Sequence, residues 1–146
     1  LKQFESDPKN NWKHKDSAIY LISALTVSGA TRAAGAVAVN PLVPILPFFA
    51  SHIMPEMQNR TNSVLEADAL KFTFTFRAQL PREAGLTLFP IFAKLLQSSK
   101  YVVHSYAAMC IEKFLMLKIN GQPVYSREDV KSSLPGFIVG LFKQLG

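Results

Sequence analysis

"LTLFPIFAKLLQSSKYVVHSYAAMCIEKFL", residues 86–115, is the stretch that decides the fold of this chain. Apolar side chains recur in it at steps of three and four residues, which is the period of an amphipathic α-helix. The short polar segment "QSSK" divides the pattern, so we predict helices over about 83–97 and about 100–118. Two helices with so short a connection are expected to pack against each other as an antiparallel hairpin.

This hairpin is one member of a repeat. A proline inside an apolar helix recurs in three segments: "LVPILPFF" at 42–49, "LTLFPIFAKLL" at 86–96 and "VKSSLPGFIVGLF" at 130–142. A second helix follows the first two of them, in "VLEADALKF" at 64–72 and in "YVVHSYAAMCIEKF" at 101–114. The period is about 44 residues, within the range of stacked helical hairpins, which bury their apolar faces only against their neighbours.

The repeat predicts an all-α fold, a right-handed superhelix of antiparallel helical hairpins, with three hairpin layers and no sheet. Residues 12–28 are the second helix of an incomplete repeat, 40–80 and 83–118 are full repeats, and 126–146 is the first helix of the next one. This register suggests a middle slice of a longer array. Its two open ends should expose apolar helix faces, so we expect it to self-associate or to be marginally stable.

Three places within this scheme combine opposing signals. Asn40 is a good helix cap, but the prolines that follow it must distort the early turns or shift the true start of the helix. "KFTFTFR" at 71–77 alternates like a strand, yet both flanks favour helix and a single strand would have no partner, so we predict helix from 63 to about 78. After the loop "NGQP", a serine cap at Ser126 followed by Glu128 and Asp129 predicts the sixth helix.

Composition narrows the class of protein. The chain has 146 residues, enough for one domain, with 49% hydrophobic and 18% charged residues and a formal net charge of +6. The positive charge is dilute, since Lys13-His14-Lys15 is the one basic run, whereas nucleic-acid binders concentrate theirs in a patch or tail. The uncharged stretch 33–51 contains Pro41, Pro44 and Pro47, which argues against a membrane span and for a flexible Ala/Gly connection followed by a buried helix.

The residue types that carry chemistry are scattered. The three histidines, His14, His52 and His104, have no partner at helical spacing, so no metal site is predicted. Cys110 is a single cysteine among small and apolar neighbours, which excludes an internal disulfide and favours a buried, inert thiol. Glu66 with Asp68 is interpreted as a pair of helix-start charges, and no paired carboxylates, nucleophile or phosphate loop can be identified. We therefore expect neither an enzyme nor a cofactor.

The residues resemble a known architecture. "LTLFPIFAKLLQSSKYVVHSYAAMCIEKFL" resembles a HEAT repeat, and "NWKHKDSAIYLISAL" at 11–25 is similar to second helices of the importin-β superfamily. More closely, "SVLEADALKF", the pattern Phe76-Arg77-Gln79-Pro81 and "VVHSYAAMCIEKF" resemble the importin-α re-exporter (cellular apoptosis susceptibility) family of exportins. The resemblance covers essentially the whole chain.

Membership of that family would imply a nuclear transport receptor. Such an exportin binds importin-α together with Ran-GTP, passes through the nuclear pore by contact with pore proteins, and shuttles between nucleus and cytoplasm. Second helices line the concave face there, so the resemblance implies partner-binding candidates on or at the ends of second helices: Lys13, Lys15, Arg77, Glu112 and Lys113. The connection Gly29–Val39 lies where this family can contact Ran or hinge, but here it is apolar and carries only Arg32.

Two other function classes stay open at this point. One is a generic HEAT scaffold with no link to Ran, and the other is a basic helical module that binds nucleic acid or an acidic membrane surface. Trp12 and the neighbouring lysines fit the opening of a repeat better than a phosphate clamp, because a large aromatic side chain gains from burial. Reversing Lys13 and Lys15 together is expected to weaken importin-α binding without altering the fold.

Overall fold

The structure is a computed structural model, and it describes residues 1–29 and 34–145. In chain order its helices are α1 Lys2–Ser6, α2 Trp12–Thr26, α3 Ile45–Phe48, α4 Met54–Asn59, α5 Ser63–Thr75, α6 Arg82–Leu96, α7 Tyr101–Leu115, α8 Arg127–Val130 and α9 Leu134–Leu145. A π-helical turn, Phe49–Ile53, joins α3 to α4, and a 3₁₀ turn, Arg77–Gln79, follows α5. Two short strands, β1 Lys118–Ile119 and β2 Gln122–Pro123, pair antiparallel.

The helices form two layers. Helices α2, α5 and α7 pack side by side in one layer, here called the second-helix layer. In the other layer α6 packs between α4 and α9, and the layers are tied by the pairs α4–α5 and α6–α7. This arrangement confirms the predicted all-α class of stacked hairpins. Among residues 1–29 and 34–145, no helix has the length and hydrophobicity needed to cross a bilayer.

The segment "KFTFTFR" is helical in α5, and its aromatic side chains explain why it resembles a strand. Phe72 and Phe76 are four residues apart, and their ring centroids lie 4.5 Å apart in the core with the planes inclined at 48°. Phe74 lies on another side of the helix and stacks on Tyr106 of α7 at 6.0 Å. A helix packed between two neighbours needs apolar side chains on more than one face, so the alternation reflects burial on both flanks and not a period of two.

The hydroxyl groups of the threonines in the same segment form hydrogen bonds within the helix. Thr73 Oγ1 donates to the carbonyl of Ala69 at 2.6 Å, and Thr75 Oγ1 donates to that of Lys71 at 2.8 Å. These bonds to the preceding turn let β-branched polar residues occupy a buried helix without an unpaired hydroxyl. The helix assignment is therefore confirmed.

Aromatic rings fill the junction between α6, α7 and the segments that follow. Phe89 is central: its ring lies 6.4 Å from that of Phe92, 5.2 Å from Tyr125 and 6.3 Å from Phe137, all with edge-to-face or steeply inclined geometry. Each such pair contributes about 0.5–1.5 kcal/mol beyond its buried area. The turn after α7 and the start of α9 are thereby attached to the second full hairpin.

The first full hairpin starts later than residue 40. Helix α3 begins at Ile45 after Pro44, and Pro47 lies in its first turn, where the missing N–H needs no helical partner. The Asn40 side chain accepts from the backbone N–H of Leu42 at 3.0 Å and so caps an isolated turn. The prolines therefore shift the start of the helix to Ile45, which is one of the two outcomes that the sequence predicted.

The expectation of no sheet is wrong in one place. Asn120 and Gly121 have φ values of 50° and 79° and connect β1 to β2. Asn-Gly adopts this doubly left-handed turn at little cost, and the turn matches the twist of a hairpin. The loop "NGQP" already carried this signal. Val27 and Val39 also form an isolated antiparallel bridge, which closes the connection between α2 and α3.

The sixth helix is divided. Ser126 and Asp129 form a capping box at the start of α8, as predicted from the sequence. Helix α8 nevertheless ends at Val130, and α9 starts at Leu134. Pro135 cannot donate to the preceding turn, so the chain starts a new helix in which this proline occupies the first turn.

Of the connection Gly29–Val39, residues 30–33 lie outside the described part. The rest is held against the C-terminal end of α5. The N–H of Ala36 donates to the carbonyl of Thr75 at 2.8 Å, and Gln79 Nε2 donates to the carbonyl of Ala36 at 3.1 Å. Gly35 has a φ of 94°, and a Cβ there would lie 2.4 Å from the Thr75 oxygen, so only glycine fits.

The outermost helices expose apolar side chains. On α2 the exposed ones are Tyr20, Leu21 and Leu25, and on α9 they are Leu134, Ile138, Val139, Leu141, Phe142 and Leu145. These helices end the two layers, so these faces have no further helix to pack against among the described residues. The expected self-association of the chain stays a prediction, and these faces are where it would occur.

Candidate partner-binding surface

Lys13 and Lys15 lie on different sides of α2, because two residues span about 200° of a helix. Lys13 is exposed, and its ammonium lies 5.9 Å from the ring of the half-buried Trp12. Lys15 is buried at 3% exposure; its Nζ donates to Glu56 Oε1 of α4 at 2.5 Å and lies 4.5 Å from the ring of Phe4. Lys15 is therefore a tie between helices, and its ammonium is not accessible from the surface.

This burial corrects one expectation. A Glu at position 15 would place a second carboxylate against the buried Glu56. Like charges in a desolvated site repel strongly, and neither would have its cation. Reversing Lys13 and Lys15 together is thus expected to disturb the fold, and the two positions must be tested separately.

Arg77 is also buried, at 4% exposure, in the 3₁₀ turn after α5. Its guanidinium donates to the carbonyl of Phe74 and approaches Gly35 in the folded-back connection. Burial lowers the pKa of Arg77, and the nearby Cys110 and Glu112 act in the opposite direction. The residue holds the end of α5 and the connection together from inside.

Glu112 and Lys113 lie near the end of α7 with their side chains 54% and 37% exposed. Their charged groups are 3.3 Å apart, so they form a surface pair of opposite charges. Of the five candidates, Lys13, Glu112 and Lys113 thus present charge to solvent, while Lys15 and Arg77 act within the chain. The structure does not bring these five together into one cluster.

A groove between α2 and α5 was missed from the sequence. It has a volume of about 270 Å³, and we call it the acid groove. Its lining residues are Asp16, Ile19, Tyr20, Ser23, Ala24, Val27, Asp68, Lys71, Phe72 and Thr75. The carboxyl groups of Asp16 and Asp68 meet in it, although the residues are 52 positions apart in the chain and belong to two different helices, α2 and α5.

The electrostatics of this pair are unusual. Burial raises the pKa of Asp68 to about 7, and a hydrogen bond to Asp16 and the charge of Asp16 act in the same direction, opposed by Lys71. Two carboxyl groups can share a hydrogen bond only when one carries a proton. Asp68 is therefore not a helix-start charge, whereas Glu66 does lie in the first turn of α5.

A signal for the pair existed in the sequence. "WKHKDSA" and "VLEADA" place an aspartate before a small residue early in consecutive second helices. Equivalent positions of neighbouring repeats stack in an array, so two acids there should approach each other. Sequence reasoning considered the neighbours of Asp68 in its own helix only.

Backbone carbonyl groups hold the cysteine and one of the histidines. Cys110 is fully buried and its thiol donates to the carbonyl of Leu70 at 3.3 Å; burial raises the pKa of the thiol. His104 Nδ1 donates to the carbonyl of Ser98 at 3.0 Å, which fixes the ring between the ends of α6 and α7. Among the described residues, no group of three or more His, Cys, Asp or Glu side chains is arranged to hold a metal ion.

Two layers of paired helices, joined by short turns and offset by a constant sequence period, define a HEAT-type repeat array. Residues 1–111 match the model of the Cse1 family. A solved structure described as "The exportin Cse1 in its cargo-free, cytoplasmic state" superposes with a TM-score of 0.81 at 36% identity, over 98% of this chain and 15% of that one. The chain belongs to the Cse1 family.

The curated relatives of this chain are consistent with the same family. The importin alpha re-exporter of Saccharomyces cerevisiae is 40% identical over 136 residues, which cover 90% of this chain and 14% of that protein. Exportin-2 of Homo sapiens is 34% identical over 149 residues, which cover 99% of this chain and 15% of that protein. Both relatives are named as exporters, and the chain spans about one seventh of their length.

Proposed function

We propose that this chain is a segment from the middle of a nuclear export receptor that returns importin-α to the cytoplasm in a complex with Ran-GTP. The observation that carries the proposal is the similarity to the importin alpha re-exporter along 90% of the chain, at 40% identity. Identity at this level over two full hairpins supports a shared architecture and a shared role. The receptor would shuttle between nucleus and cytoplasm and contact nuclear pore proteins on the way.

Within the receptor we assign residues 40–80 and 83–118 to full repeats, residues 12–28 to the second helix of the preceding repeat and residues 126–146 to the first helix of the next. The helix pairs α4–α5 and α6–α7 support this division. The exposed charges Lys13, Glu112 and Lys113 on α2 and α7 are the candidates for partner contact. Lys15 and Arg77 would act indirectly, by holding α2 and α5 in place.

The test is a titration of importin-α against the full-length receptor that contains this segment, in the presence of excess Ran-GTP or Ran-GDP. A re-exporter binds the two partners cooperatively, so importin-α should bind much more tightly with Ran-GTP. Equal affinity with either nucleotide would contradict the proposal and leave a generic scaffold. Binding to arbitrary DNA that weakens steeply with salt, with no Ran effect on importin-α, would instead favour the nucleic-acid class.

Position 13 provides a local test of the surface. Lys13→Glu is expected to weaken importin-α binding by about 2- to 5-fold, because one exposed charge is worth about 0–1 kcal/mol. The matched control is Lys118→Glu. It makes the same change of charge at an exposed lysine of β1, outside the second-helix layer. Equal affinities for the two variants would remove Lys13 from the proposed surface.

A further inference from the structure

A broad polar basin lies at the edge of the array where first helices turn into second helices. It has a volume of about 710 Å³ and is formed by the turn between α4 and α5, the turn between α6 and α7, and the last turn of α9. The residues that line it are Arg60, Thr61, Asn62, Ser63, Glu66, Gln97, Ser98, Ser99, Lys100 and Lys143. We call it the basic basin.

The basin carries a net positive charge. Arg60, Lys100 and Lys143 come from three different segments, and all three are exposed. Among the described lining residues Glu66 is the one acid, and its side chain is 7% exposed at 3.8 Å from the Arg60 guanidinium. Three cations therefore face the space and one largely buried carboxylate offsets them in part.

Contacts between backbone and side chain hold the three segments around this space. Lys143 Nζ donates to the carbonyl of Gln97 at 2.9 Å, and Gln144 Nε2 donates to that of Leu96 at 2.9 Å. These bonds hold the end of α9 against the turn between α6 and α7. Asn62 accepts from the N–H groups of Val64 and Leu65 and so fixes the other turn. The cations are consequently arranged by the packing of three separate segments of the chain.

We infer that the basic basin binds an acidic segment of a protein partner through the carboxylates of Asp and Glu side chains. Its volume falls in the range of sites that enclose a few residues or a small molecule. Its wall offers guanidinium, ammonium, hydroxyl and amide donors, which are the groups that bind carboxylates. The basin offers little apolar surface against which an apolar ligand could pack.

A peptide fits the basin better than a nucleic acid does. Single strands bind through aromatic side chains that stack on bases, together with a groove that follows many phosphates. Among the described residues that line the basin none is aromatic, and its three cations surround one space without forming a track. The inference is independent of the proposed export role, because the basin lies at the turns and not on the second-helix layer.

The experiment measures binding of a fluorescently labelled peptide, made only of Asp and Glu, to the protein by anisotropy at low ionic strength. The double variant Arg60→Gln with Lys100→Gln removes two cations of the basin. We expect it to bind about 5- to 30-fold more weakly, from two contributions of about 0.5–1 kcal/mol each. The matched control, Lys94→Gln with Lys118→Gln, removes two exposed lysines outside the basin and should change affinity by less than about 2-fold.

Three outcomes would overturn the inference: no peptide binding by the unaltered protein, equal weakening by the two double variants, or tighter binding of a single-stranded DNA of the same charge at the same residues. Circular dichroism checks that the variants fold. Should the first variant unfold, the substitution Ser99→Glu is used in its place. It puts one acid at the exposed rim of the basin and is expected to weaken the binding of the peptide as well. Unchanged affinity of that variant would equally reject the site.

Discussion

Two ion pairs of the same length join helices in different regions of this chain. Lys15 of α2 and Glu56 of α4 are 2.5 Å apart with side chains 4% and 7% exposed. Arg82 of α6 and Asp129 of α8 are also 2.5 Å apart, but the arginine is 46% exposed. Distance alone would rank the two pairs as equal.

Their surroundings make them different. In the buried pair each ion has lost its water, so each depends on its partner. In the surface pair water and salt screen the attraction, and Asp129 is held chiefly by hydrogen bonds from the Ser126 backbone and hydroxyl, which with Arg82 lower its pKa to about 2. The comparison predicts large effects where one buried partner is removed and small effects at the surface.

The largest effect is expected for Lys15→Met. It leaves Glu56 buried without its cation, so the free energy of unfolding should fall by about 3–5 kcal/mol. Urea unfolding of the variant measures the loss. The double variant Lys15→Met with Glu56→Leu should recover most of it, because no unpaired ion remains. A single variant as stable as the unaltered protein would show that the pair is solvated.

The acid groove is expected to give an effect of intermediate size on stability. Its sign is opposite to that of the buried ion pair, because here the loss of a charge should stabilise the folded state. The folded-state pKa of Asp68, about 7, lies above its ordinary value of 3.8, so the folded state binds the proton more tightly. The contribution of Asp68 to stability is then largest below about pH 4, and it falls as the pH rises toward 7. After allowance for solvent screening we expect a loss of about 1–2 kcal/mol between these limits.

Asp68→Asn tests this directly, because the amide imitates the protonated acid at every pH. Unfolding measured from about pH 4 to about pH 8 should show a smaller decrease in stability than the unaltered protein, and the variant should be the more stable one at the upper limit. Glu112→Gln removes an exposed carboxylate and is the control. Identical pH profiles for Asp68→Asn and the unaltered protein would contradict the shared proton.

At the surface pair, Asp129→Asn is expected to destabilise the protein, by less than Lys15→Met does. The sign with pH is reversed here. Because the folded-state pKa of Asp129 is lowered to about 2, its contribution is present above about pH 4 and is lost as the pH falls toward 2. Thermal scans of both proteins at about pH 6 and about pH 2 should differ at the first pH and converge at the second. A difference that persists at the lower pH would assign the effect to packing.

The smallest effect on stability is expected for Lys13→Glu. Lys13 is two residues from Lys15 but exposed, so its reversal should leave the free energy of unfolding unchanged within about 0.5 kcal/mol. Comparison with Lys15→Met in the same urea experiment separates the two lysines. A loss at position 13 as large as at position 15 would mean that burial does not distinguish them.

Much of the fold was predictable because its signals are local. The bounds of α6 and α7 were predicted to within a few residues, since both amphipathic period and polar break lie in one continuous stretch. The capping box at Ser126 was likewise local. The Asn-Gly hairpin was local too and was missed, because the loop was considered only as the end of a helix.

The candidate site was much less predictable. Lys15 and Arg77 were expected at the surface as charges on or beside second helices, yet Glu56 and the backbone of Phe74 take them into the interior. Nothing in the neighbouring letters distinguishes Lys13 from Lys15, because both are lysines of one basic run. Burial depends on which helix packs alongside, and α4 lies about forty residues away in the chain.

By itself the sequence determined the helical class, the repeat, its period and the family, because these are recorded in spacing and residue identity along the chain. The tertiary structure alone decided which charges are paired, which are buried and which share a cavity. Asp16 meets Asp68, and Arg60 shares a basin with Lys100 and Lys143, through the packing of helices that are distant in the chain. The strength and the pKa of a charged group depend on its distance from other charges and from water, and packing between distant segments sets both.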